Sequence, residues 1–293
     1  MKLRISVKIL SILILLLSLL AAVYGVFSNQ SYGKTEFTTI GGELVKMYGR
    51  GLYHNDSVSI ASQAISQDIV TIILAVPLLL ISMFLANKGL MKGKLLLTGT
   101  LGYFFYTYTS YSFLSMYNKF FLIYVALMSM SFFSLTLMIT SFDIDNIKFY
   151  FSDKIPRKFI GGFLLFMSFV VGLMWVGKIG AAFLKGGYPE GLEYYTTLPI
   201  QALDLGFVVP IAIMSGILLI KNKSLGYLLA PIMIIKEISM LTAITAMIIG
   251  QIYSGISMSV GEMVIFPCFN LIIIYCLYLV ISNVKENNHM VRR

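Results

Sequence analysis

The sequence predicts an all-α, polytopic integral membrane protein with about eight transmembrane helices, and three observations carry that prediction. Hydrophobic residues make up 58% of the 293 and charged residues only 12%, about half the charged share of an average soluble domain. The apolar residues fall in runs of roughly twenty, the length a helix needs to cross a hydrocarbon core of about 30 Å. Lys and Arg, which give a net charge of +9, are dispersed over short connections between those runs. They form no basic domain with interleaved aromatics, so no nucleic-acid partner is expected.

Each run is read as a helix, because backbone groups in lipid find no water to bond and the strand alternative needs ten-residue alternating segments that are absent here. Ile9 to Phe27 comes first, after the basic stretch MKLRISVK. It has the charge and length of a signal peptide, but Ala22-Val23-Tyr24 departs from the small-x-small cleavage pattern, so a retained helix is expected. Ile69 to Ala86 and Leu95 to Tyr117 follow around a short basic link, then Phe120 to Ser141 and Phe159 to Val176. Ile200 to Ile220, Leu225 to Ile252 and Glu262 to Ile281 complete the set.

Fifteen of the 22 Lys and Arg fall in one set of alternate connections and six in the other, with Lys236 inside the seventh run. The positive-inside rule then places both termini in the cytoplasm and the protein as a multi-pass component of the plasma membrane. Residues 1–293 form a single membrane domain, and its two longest connections, 28–68 and 177–199, lie outside as potential lids. A displacement of 133 residues aligns Val76-Pro77 with Val209-Pro210, Ser82 with Ser215, Lys88 with Lys221 and Gly93 with Gly226. Halves 1–141 and 159–282 would then be a 4+4 parallel internal repeat of the kind some carriers use.

Within this frame the stretch IMIIKEISM stands out, because Lys236 and Glu237 put two full charges in an apolar run. A charge there costs at least about 2.5 to 3.5 kcal/mol, which marks a functional site by default. Adjacent helical positions diverge by about 100°, which argues against a pair between them and sends each toward another helix. Depth suggests Asp204 as the partner of Lys236, with Glu237 meeting Asn270, Ser or Thr hydroxyls, or water. Tyr103, Tyr106, Ser110 and Tyr117 share a stripe of the third run, with Tyr103 and Tyr106 deep enough to line a pocket and Tyr111 and Tyr117 assigned to an interfacial aromatic belt. Pro77, Pro210 and Pro231 would free carbonyls toward that pocket.

Arg50, His54, Asp56 and Asp68 in the first long connection are expected to gate it. His54, Asp56 and Ser59 also contain the residue types of a hydrolytic group, which only spatial geometry can validate. No zinc, nucleotide or lipid-transferase motif is present, and two histidines, His54 and His289, leave little for a metal site. Cys268 and Cys276, in one apolar run, read as packing residues. No cofactor is expected. A lysine in a seventh helix suggests retinal binding, but the third run has no acid to serve as counter-ion and Trp175 is the only tryptophan.

The leading expectation is therefore binding or transport of a small solute or ion through a polar cavity centred on Lys236 and Glu237, within a lipid bilayer. A membrane-embedded enzyme on a lipid or polyprenyl-linked substrate at the outer face, and a non-catalytic sensor or assembly subunit, are the alternatives. The sequence leaves the oligomeric state open.

Overall fold

The computed structural model describes residues 3–33, 35–189 and 191–286; Lys2, Lys34, His289, Arg292 and Arg293 lie outside them. The described residues form eight helices: α1 Ile5–Phe27, α2 Val58–Asn87, α3 Met91–Phe113, α4 Phe121–Ile139, α5 Arg157–Lys185, α6 Pro199–Ile220, α7 Ser224–Tyr253 and α8 Val260–Asn283. All except α3 are long and apolar enough to cross a membrane. This is a multi-pass membrane protein.

α3 is as long as α1 but carries Thr98, Thr100, Thr109, Ser110 and Ser112, whose hydroxyls each donate to the carbonyl four residues back. It tolerates that polarity because it sits inside the bundle, packed on α2, α4 and α7, with 15 of its 23 residues buried. α7 is the other central helix, covered by α2, α3, α6 and α8. Outside them, α1 packs on α2 and α4, and α5 packs on α6. α1 inserts Ile14, Ala21 and Ala22 into the interior as a full member of the bundle.

α3 and α7 approach closely because Gly99 faces Ile235. A methyl group at Gly99 would lie 2.5 Å from Ile235 Cβ and 2.9 Å from the Ile232 carbonyl. Three residues on, Gly102 leaves ordinary room, 3.6 to 3.7 Å, for the stem of Lys236. Small residues at a helix crossing are the usual means by which membrane helices pack closely, since apolar burial does not distinguish lipid from protein.

Two boundaries move furthest from the sequence expectation. α2 begins at Val58, not Ile69, and α5 runs to Lys185, past Val176. The added first half of α2, SIASQAISQD, is polar by composition, yet Ser62, Ser66, Gln67 and Asp68 are buried against α7 and other neighbours. Ser57 caps its start by accepting from the Ile60 amide. The first long connection is therefore 28–57 and contains a small hairpin, β1 (Glu36–Thr38) paired antiparallel with β2 (Leu44–Lys46).

α2 and α6 share an irregularity. Each contains a π-turn, Thr71–Ala75 and Asp204–Val208, immediately before Val76-Pro77 and Val209-Pro210. Proline supplies no amide and crowds the carbonyl four residues back, and the wider turn relieves that contact. The links after them also agree: Gly89 and Asn222 adopt positive φ, and Leu90 and Lys223 donate to Leu85 and Leu218. Gly93 and Gly226 then press on the backbones of residues 85–86 and 218–219.

The glycine contacts yield a contrast. Gly99→Ala is expected to lower stability, because overpacking costs about 1 to 3 kcal/mol while replacing helical glycine recovers about 1. Gly102→Ala should be neutral or slightly stabilising. Thermal unfolding of both variants in detergent checks this, and equal midpoints would contradict the close crossing.

Candidate functional site

A cavity of about 230 Å³ lies between α2, α3, α5, α6, α7 and α8. Its wall runs from Gln63, Gln251 and Glu262, near the ends of α2, α7 and α8 on the side of the long connections, to Ser168, Ala212 and Lys236 in the middle of their helices. Five methionines, Met167, Met174, Met240, Met247 and Met258, supply much of the apolar lining.

Lys236 and Glu237 form the charged centre, buried to 6% and 4% exposure. The expectation that they face different helices is overturned. Lys236 Nζ donates to Glu237 Oε1 at 2.8 Å, the one ion pair among the described residues. The angular argument considered only where the side chains leave the backbone. Four methylenes let the lysine curl back, and Gly102 provides the surface along which its stem lies. The ammonium comes to rest 4.3 Å from the centroid of the Tyr106 ring, one helical turn beyond Gly102.

Asp204, expected to meet Lys236, instead accepts from two neutral donors. Tyr106 Oη donates to Oδ1 at 2.7 Å and Trp175 Nε1 to Oδ2 at 2.8 Å. It opens the π-turn of α6, so the irregular turn presents it to α3 and α5. Asn270 Oδ1 accepts from Thr242 at 3.3 Å and does not meet Glu237. Tyr103 is fully buried behind the cavity wall, 3.1 Å from Thr71 Oγ1, while Tyr106 and Ser110 of the same stripe line the cavity. Tyr111 also faces inward, whereas Tyr117 is 76% exposed. Tyr111 thus stands outside the expected belt, because its hydroxyl has a buried acceptor that the sequence does not reveal.

That acceptor is Asp68. It takes hydrogen bonds from Tyr53 at 2.6 Å and Tyr111 at 3.1 Å, in space that Gly25 of α1 leaves open. Asp68 is thus a buried helical residue, not part of the loop where the gate candidates were placed. Arg50 stacks against Tyr48, and His54 stacks on Tyr32 with Nδ1 3.0 Å from the Gly51 carbonyl. Ser59 accepts from Gln251, so His54, Asp56 and Ser59 are not assembled into a hydrolytic relay.

Asp56 joins the two long connections. Its Oδ1 accepts from the Met116 amide at 2.9 Å and from Tyr195 Oη at 3.1 Å, and Tyr194 donates to the Asn55 carbonyl. Asp56 Oδ2 and Glu193 Oε2 are buried with no hydrogen-bond partner among the described residues. Burial lifts the Asp56 carboxyl to about 7; the Met116 and Tyr195 hydrogen bonds oppose that rise and the nearby Glu193 charge adds to it. Sequence reasoning missed Trp175, Gln63 and Gln251 as cavity residues. The lone tryptophan was the available signal, but nothing in the sequence gave its direction. Comparison with family models, curated proteins and solved structures finds no match.

Two outcomes follow. Breaking a buried pair from one side costs about 3 to 5 kcal/mol, so Lys236→Met should destabilise the protein more than Lys236→Met combined with Glu237→Gln. Unfolding midpoints of the single and double variants measure it, and additive losses would argue against the pair. The loop contact depends on protons in a defined direction. A carboxyl whose docked pKa is raised favours docking fully below the ordinary value of about 4, and that contribution disappears as pH rises through about 7. Hydrogen exchange in residues 191–198, corrected for intrinsic rates, should therefore quicken as pH rises from about 4 to about 7 in the native protein, level off above that, and lose the step in Asp56→Asn.

Proposed function

We propose that the protein is a plasma-membrane carrier that binds a small solute or ion in the cavity beside Lys236 and Glu237. The observation that carries this reading is the placement of an ion pair and a further carboxylate, Asp204, on the wall of one mid-helix cavity that reaches the ends bearing the long connections. Charges used only to join helices have no need of such a space. The Lys and Arg distribution supports cytoplasmic termini and an outward-facing cavity mouth, with the Asp56–Tyr195 contact governing access.

An internal 4+4 repeat fits the same reading. Its support is the agreement of π-turn, proline, positive-φ link and close-packed glycine at positions 133 residues apart in α2–α3 and α6–α7. Parallel repeats allow one half to rock against the other about a site between them. α3 crosses all of the membrane in this arrangement, shielded from lipid by its neighbours.

Reconstituted protein should exchange labelled solute across vesicles preloaded with the same unlabelled compound. A screen of small cations, anions and neutral solutes identifies the class. Lys236→Met with Glu237→Gln should reduce exchange at least tenfold while leaving the unfolding midpoint near that of the native protein. Undiminished exchange by that double variant would remove the pair from the transport site.

A further inference from the structure

Resting on the carrier reading, we propose that the solute is a small organic cation, an ammonium group on an apolar body, which docks on Asp204 against the rings of Trp175 and Tyr106. The cavity itself contains the chemistry that recognises such a group. Lys236 presents an ammonium that contacts a carboxylate, Glu237, at 2.8 Å and an aromatic face, Tyr106, at 4.3 Å. Beside it stands a second carboxylate with aromatic neighbours, and no Lys or Arg lies within ion-pair distance of Asp204 among the described residues.

The charge balance points the same way. Lys236 is the only basic residue on the cavity wall among the described residues, and Glu237 neutralises it. Asp204 therefore leaves the centre with net negative charge, and Glu262 adds another carboxylate near the mouth. Trp175 Nε1 can only donate, so Asp204 Oδ2 is an acceptor. Lys178 stands 5.9 Å from the Trp175 ring, but it does not line the cavity. Aromatic faces and carboxylates together bind ammonium groups by cation–π attraction and charge, and the methionines adapt to varied apolar substituents.

A separate hollow of about 430 Å³ on the face with the long connections repeats the combination. Glu43 and Glu193 line it together with Phe37, Tyr188, Tyr194 and Tyr195, and among the described residues no basic side chain contributes to its lining. A cation would thus meet carboxylates and aromatic faces first between the loops and again in the membrane.

Trp175, as the only tryptophan, reports on the deep site directly. Full-length protein in nanodiscs is titrated with 2-phenylethylammonium, and with 2-phenylethanol and phenylacetate as neutral and anionic counterparts of similar shape. The expected result is a saturable change in tryptophan emission at least tenfold more sensitive to the cation, weakened at least tenfold in Asp204→Asn and largely kept in Asp204→Glu. Equal responses to all three compounds, preference for the anion or the alcohol, or no saturable response to any of them overturns the assignment. These comparisons use the native protein, so a variant that misfolds leaves them intact. Cation binding without exchange in vesicles would refute the carrier reading alone, whereas exchange confined to anions or neutral solutes would refute the cation class alone.

Discussion

The approach of α3 to α7 at Gly99 is the constraint on which the interior depends. With the helices that close, the stem of Lys236 lies along Gly102 and its ammonium reaches the ring of Tyr106. Tyr106 then directs its hydroxyl to Asp204 on α6, and Trp175 on α5 completes the carboxylate's contacts. A single backbone contact between central helices thus fixes a chain of side chains reaching two outer ones. A bulkier residue at position 99 would displace the whole series.

The energetics of the charged centre are those of compensation. A lone ammonium or carboxylate at this depth is costly, and a buried pair repays its desolvation only with good geometry and further polar contacts. Lys236 and Glu237 meet at hydrogen-bond distance, with an aromatic ring beside the ammonium. Asp204 has only neutral donors and lines the cavity. The first two residues satisfy each other, while the third is held by a phenol and an indole.

Much of this architecture was legible in the apolar runs, because lipid leaves the backbone no choice but helix over a length set by membrane thickness. Lys236, Glu237, Asp204 and Tyr106 were also legible as residues whose polarity is anomalous at their depth. Their pairing was not, since it depends on side-chain flexibility and on a glycine in another helix. The first half of α2 was hidden for a related reason: Ser62, Ser66, Gln67 and Asp68 look like loop until α7 and the tyrosines that cover them are in place. Hydropathy records the solvent a residue prefers. It does not record when protein replaces that solvent.

The π-turns in α2 and α6 also have a consequence for helix phase. A π-turn accommodates an extra residue, so the side chains before it are rotated by about 100° relative to a continuous α-helix. In α6 this separates two faces: Asp204 is turned toward Tyr106 and Trp175, while Ser215 and Leu219 beyond the turn follow the packing of the regular helix. In α2 the same device lets Gln67 address Thr107 while Leu79 and Ser82 keep to the core. Each helix behaves as two rulers joined out of phase, so that its two halves present side chains along directions that a continuous helix would not combine.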